Sequence, residues 1–188
     1  MVTALDNNTA LVLIDLQKGI VGYPVANPIG DVLANAAKLV AAFRKKGLPI
    51  VIVNVNPANA TKVSSRKEQG ARGGGGELPA DWLDIVPEIE TNSDDIFITK
   101  HTWGAFFETA LQEELQKRNV TGIVLAGVAT SIGVEGTARQ ASEFGYNLTF
   151  AKDAMTDMSA SAQENSFQIM FPRMGEVDTT DAIIATLG

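Results

Sequence analysis

Four nearly uninterrupted apolar runs, rich in β-branched residues, limit what this chain can fold into: Ala10–Asp15, Pro49–Val55, Gly122–Gly127 and Asn147–Ala151. A strand with one wet face alternates apolar and polar residues, whereas a strand covered by helices on both faces does not. Asp94–Lys100 reads as a fifth strand and Met174–Asp178, with fewer apolar residues, as a sixth. Helical patterns lie between them. Val32, Leu33, Ala36, Leu39, Val40 and Phe43 recur at helical spacing, with Asp31 placed to cap the start and Gly47 the end. Phe106, Phe107, Ala110, Leu111 and Leu115 predict a second helix, and Val134, Ala138, Ala141 and Phe144 a third that ends at Gly145. Ser159 to Ser161 opens a fourth that stops before Pro172, and Thr180 caps a short last one. Strands alternating with helices predict a three-layer α/β/α domain, doubly wound around a mostly parallel sheet of about six strands. A single domain over 1–188 is the simplest organisation for 188 residues, enough to bury roughly 70% of the unfolded chain's surface.

Composition removes several classes of function. The net charge of −7 argues against binding a nucleic-acid backbone. The densest basic run, Lys62 to Arg72, includes Glu68 and reads as a solvated loop. No stretch approaches the ~20 apolar residues that span a bilayer. Met1 to Asn8 has no basic segment ahead of an apolar one, so no signal peptide is expected and the cytoplasm is the expected compartment. With no cysteine there is no disulfide framework and no thiolate metal site. The connection from Pro57 to Pro87 breaks the rhythm, and its length predicts a lid or an interaction loop. Gly73 to Gly76 do not form a phosphate loop, because no strand–helix junction holds them and no Lys-Ser or Lys-Thr follows.

Open parallel sheets bind ligands beyond the carboxyl ends of their strands. Asp15 closes the first run and Lys100 the fifth, and the turn from Gly127 to Gly133 closes another. An aspartate and a lysine on neighbouring strand ends would face each other beside a helix N-terminus, an arrangement suited to acid–base work. An aspartate after a strand is also a common turn former, and a solitary lysine is most often on the surface. His101 is the only histidine and is expected at the pocket edge at most. Trp103 is either core or pocket wall, and Phe106 is core.

Three segments together resemble the isochorismatase-like hydrolases. They are Leu13-Ile14-Asp15-Leu16-Gln17, Lys100-His101-Thr102-Trp103-Gly104-Ala105-Phe106, and Gly127 through Arg139, in the family's order and on the expected strand ends. The resemblance implies that Asp15 is the acid–base residue and that Lys100 completes the polar centre. It also implies that Gly133 stands where most members carry a nucleophilic cysteine, and that the Val128–Ala129 bond is cis. Backbone from Val128 and Ala129 onward would then supply hydrogen bonds, with Gln17, Trp103 and Ser131 as further substrate-binding candidates. The nicotinamidases' aspartate-and-histidine metal motif is missing, so neither metal nor other cofactor is expected; a homo-oligomer is.

Without sulfur at residue 133 the family's thioester cannot form. Ser131 lies two residues earlier and would need a base to become nucleophilic. The true isochorismatases also carry glycine there, and hydrolyse a vinyl ether by proton transfer from the aspartate to carbon. The resemblance therefore implies non-covalent hydrolysis of a small, anionic metabolite. Two other readings share the scaffold: an amidase using water activated by Asp15, and a binding protein without catalysis. Lys100 would hold Asp15 ionised unless burial offsets it.

Overall fold

A computed structural model describes residues 1–57 and 77–187. Six parallel strands form one sheet in the order β3-β2-β1-β4-β5-β6. They are β1 (Thr9–Ile14), β2 (Ile50–Val55), β3 (Ile96–Lys100), β4 (Gly122–Val128), β5 (Asn147–Thr156) and β6 (Gly175–Asp178). The helices are α1 (Lys18–Val21), α2 (Ile29–Lys45), α3 (Leu111–Lys117), α4 (Glu135–Glu143), α5 (Ala160–Asn165) and α6 (Thr180–Ala185).

The uninterrupted apolar character of β1 has a direct cause. Val12 and Ile14 pack with Val53, Leu115 and Ala138 on one side of the sheet. Leu11 and Leu13 pack with Leu39, Phe43 and Ile183 on the other. Each such side chain gains about 1.5–3 kcal/mol on burial, so both faces of the strand are locked in register.

Chain order reverses between β1 and β4, and that is where an open sheet leaves a crevice. Of the long connection after β2, residues 58–76, including the four consecutive glycines, lie outside the described residues. Its return strand-like segment is firmly held: Val86 N–H donates to the Leu16 carbonyl at 3.2 Å and Lys18 N–H to the Asp84 carbonyl at 2.9 Å.

Several boundaries differ from expectation. Helix α2 begins after Pro28, which places Asp31 in the first turn, where its charge faces the helix dipole rather than capping it. At the other end Gly47 has φ +66°, and the Leu48 N–H returns to the Phe43 carbonyl, closing the helix as expected. Regular helix starts only at Leu111, because Glu108 adopts φ +54° and separates Phe106 from it. The fourth helix, α5, ends at Asn165, before Pro172 as expected; the chain then widens into a π turn over Ser166–Met170 and tightens over Phe171–Arg173, with Pro172 inside that last turn. The final cap is Thr179, one residue early. Strand β5 runs past Ala151 to Thr156 because its polar residue Asp153 is paired, its carboxylate accepting from the Thr180 N–H and hydroxyl at 2.7 and 2.8 Å.

Candidate active site

Asp15 follows the last residue of β1 and takes φ +53°, which turns the chain out of the sheet. Its N–H still donates to the Val53 carbonyl at 2.9 Å, so the residue is anchored to β2. Lys100 ends β3, which is not a neighbour of β1; β2 lies between them. The sequence reading of adjacent strand ends is corrected here. Two strand spacings amount to ~10 Å, which the long lysine and the aspartate bridge together. Lys100 Nζ donates to Asp15 Oδ2 at 2.8 Å and to the Thr102 carbonyl at 3.1 Å. Lys100 is 2% exposed and Asp15 5%.

Burial and the lysine act on Asp15 in opposite directions. Burial disfavours its charged form, Lys100 favours it, and burial wins: the carboxyl is pushed up to about 6. Asp15 Oδ1 is buried and has no hydrogen-bond partner among the described residues. A buried acceptor without a donor costs about 1–3 kcal/mol and calls for a reason.

Across the crevice, β4 ends in a turn shaped by its backbone. Gly127 has φ +124° and presses on β1, where a Cβ would lie 2.1 Å from the Ile14 carbonyl oxygen. The Val128–Ala129 peptide bond is cis. Thr130–Val134 then forms a π turn leading into α4. A Cβ on Gly133 would sit 3.2 Å from Asp15 Oδ2 and 3.0 Å from Ile14 Cγ2. Position 133 thus faces the Asp15 carboxylate directly. Thr137 Oγ1 donates to the Gly133 carbonyl at 2.7 Å and accepts the Ala105 N–H at 3.1 Å, joining this turn to the segment after Lys100.

The remaining candidates divide. Gln17 is fully buried, and its amide is spent on backbone: Oε1 accepts from Val55 N–H at 2.7 Å, while Nε2 donates to the Val55 and Trp82 carbonyls at 3.1 and 2.9 Å. It joins the end of β2 to the segment around Trp82. Trp103 is 66% exposed, neither core nor enclosed wall, because Ala105 and Phe106 take the buried places of that segment. His101 Nδ1 pairs with the Asn56 carbonyl at 2.8 Å. Val128 and Ala129 are buried, and Ser131 is half-buried. The Ser131 hydroxyl donates to Asp157 Oδ2 at 2.8 Å.

Asp157 escaped the sequence reading. It closes the true end of β5 just as Asp15 closes β1, and the signal was lost when that strand was ended at Ala151. Among the described residues no three His, Cys, Asp or Glu side chains are grouped to hold a metal ion.

Comparison with known proteins matches this arrangement of parts. The isochorismatase domain family model fits residues 9–182. The chain is 46% identical over 179 residues to the uncharacterized isochorismatase family protein YwoC of Bacillus subtilis strain 168, covering 94% of this chain and 92% of that protein. A solved isochorismatase family protein from Burkholderia thailandensis superposes with a TM-score of 0.92 at 37% identity, covering 100% of this chain and 99% of the other. More distantly, the ureidoacrylate amidohydrolase RutB of Variovorax paradoxus strain S110 is 25% identical over 211 residues, 95% of this chain and 81% of that one.

Proposed function

Since this chain belongs to the isochorismatase family and is a hydrolase, we propose that it hydrolyses a small, anionic metabolite without a covalent intermediate, with Asp15 as the acid–base residue. One observation carries the reading: Asp15 Oδ1 is buried and idle, on a carboxyl raised to about 6, while Oδ2 is engaged by Lys100 next to the side-chain-free face of Gly133. The engaged oxygen orients the group, and the idle one can carry the proton.

Vinyl-ether hydrolysis is the model reaction. Asp15 gives its proton to the terminal carbon of the vinyl ether, leaving an oxocarbenium ion. Water adds to that cation and returns a proton to the Asp15 carboxylate. The resulting hemiketal collapses to a carbonyl compound and an alcohol, so one water is consumed and the aspartate is restored. While Asp15 is neutral the Lys100 charge is unbalanced, which favours an anionic substrate. Such a substrate would in turn hold the proton on Asp15. Ser131 is not assigned as a nucleophile, since its hydroxyl turns to Asp157 while it is position 133, without a side chain, that faces Asp15.

The value near 6 also supports a second reading, because Asp15 is then largely ionised at neutral pH. As a base it would activate water against an amide, the bond class that the ureidoacrylate amidohydrolase relative is named for. The pH–rate profile separates the two. Turnover limited by the acid form falls as pH rises through about 6; turnover limited by the base form rises over the same interval. The direct test is a panel of isochorismate, nicotinamide and carbamoyl amides with purified protein and the Asp15→Asn variant. Turnover lost in the variant supports hydrolysis at Asp15. No turnover, with ligand binding indifferent to the substitution, would leave a binding protein on a hydrolase scaffold. A homo-oligomer, on the family resemblance, and a cytoplasmic location, on the sequence pattern of Met1 to Asn8, complete the proposal.

A further inference from the structure

The turn that faces Asp15 is gripped from behind by a second buried carboxylate. Asp157 is 2% exposed. Its Oδ2 accepts from the Ser131 N–H at 2.7 Å and from the Ser131 hydroxyl at 2.8 Å. Its Oδ1 accepts from the Ser159 N–H at 3.0 Å. Its backbone carbonyl accepts the Ala26 N–H at 2.8 Å. No lysine, arginine or histidine pairs with it among the described residues. A carboxylate without a cation is expensive to bury and needs such charge-assisted donors.

These bonds tie three segments to one residue: the turn carrying Gly133, the start of α5, and the loop that leads into α2. Thr130–Val134 is a single π turn, an irregularity of the kind that recurs at functional sites, and the Asp157 bonds hold it from outside. Gly133 lies two residues past Ser131, with its open face on Asp15 Oδ2. Rotation of the turn about Ser131 would move that face, and with it any substrate seated between turn and carboxyl.

We propose that Asp157 is a positioning residue for this site, fixing through Ser131 the orientation of the 129–133 turn over Asp15. The proposal rests on the reading that Asp15 is catalytic, and its test keeps the two apart. It uses Asp157→Ala, Asp157→Asn and wild type as full chains, assayed well below their melting temperatures. The substrate is whichever panel compound loses turnover in Asp15→Asn. Asp157→Ala is expected to lower kcat on the order of a hundredfold, the scale of an ångström's misplacement, with KM changed less than about threefold. Asp157→Asn keeps an acceptor for the Ser131 N–H and should recover part of kcat. In parallel the Ser131 amide proton resonance should move upfield in Asp157→Ala as its carboxylate bond is lost. Wild-type kcat in a folded Asp157→Ala, or an unmoved Ser131 resonance, overturns the proposal. If Asp157→Ala does not fold, Asp157→Asn decides: a kcat deficit with unchanged KM supports positioning, and wild-type kcat refutes it. A wild-type protein that turns over no panel compound defeats the hydrolytic reading instead. Asp157 is then judged by the Ser131 resonance alone.

Discussion

Asp15 and Asp157 are two buried carboxylates that meet one turn, the first at Gly133 and the second at Ser131, and they are satisfied in contrasting ways. Asp157 spreads its charge over three N–H or O–H donors and leaves neither oxygen idle. Asp15 gives one oxygen to a buried lysine, and the other has no hydrogen-bond partner among the described residues. The first arrangement holds a structure still. The second leaves a buried acceptor open at some cost in stability, as the proposed proton site requires. The contrast predicts different consequences when each is altered.

The largest expected effect is on chemistry. Asp15→Asn keeps the shape and an acceptor for Lys100 but can neither give nor take the proton. Loss of a general acid–base residue typically costs 10²–10⁴-fold in rate, so kcat should fall by that factor. Steady-state assays on both carboxylates check this. If Asp15→Asn retains wild-type turnover, the bare oxygen has no chemical role and the contrast collapses.

Next comes the ion pair. Lys100→Met removes the cation and leaves Asp15 buried without it. Removing one partner of a buried pair costs about 3–5 kcal/mol, which urea unfolding should report as a fall in midpoint at unchanged slope. Adding Asp15→Asn to Lys100→Met should recover part of that loss, since no charge is then stranded. A double variant less stable than the single would mean that the pair is not the cause.

The third effect has a sign fixed by the raised value of about 6 for Asp15, against 3.8 for the ordinary carboxyl. Between those values the folded protein holds the proton more often than the unfolded chain does. Stability from this group is therefore fullest below the ordinary value and is lost as pH rises through about 6. A displacement of this size corresponds to something on the order of 3 kcal/mol. The half-buried Glu114, Glu176 and Asp178, held low by their hydrogen-bond partners, pull the opposite way. The difference between wild type and Asp15→Asn isolates the effect: the wild type should lose ground to the variant between pH 4 and 7. A gap constant across that range would contradict the burial argument.

The two corners also differ in how far the sequence betrayed them. Asp15 was legible because an uninterrupted apolar strand ends on it, and Lys100 because a strand ends there too. That the two meet across an intervening strand was not legible, since strand order is a property of the sheet and not of any local pattern. The backbone clamp made by Gln17 was not legible, because a glutamine after a strand looks the same whether its amide faces a ligand or bonds backbone. Asp157 was not legible because Lys152 and Asp153 interrupt the apolar run of β5, and the bonds of Asp153 to Thr180, which let the strand continue, lie elsewhere in the fold. The layers and the glycine-marked helix ends at Gly47 and Gly145 followed from apolar patterning and cap residues; the irregular turns at 101–110 and 130–134 have no comparable periodic signal.

The smallest effect probes the space between the corners. Gly133→Ala adds a methyl 3.2 Å from Asp15 Oδ2 and 3.0 Å from Ile14 Cγ2, contacts tight enough to crowd the carboxyl. Overpacking of this kind costs about 1–3 kcal/mol, and the low end is expected because only two contacts are strained. The methyl lies on the Asp15 side and excludes water from that carboxyl, so it should push the proton affinity of Asp15 higher still. The midpoint of the pH–rate profile would then move above about 6, while the Ser131 amide resonance, governed by Asp157, stays in place. Should the midpoint stay fixed while the Ser131 resonance shifts, the turn would be yielding toward Asp157, and rigidity would have to be assigned to the other side of the crevice.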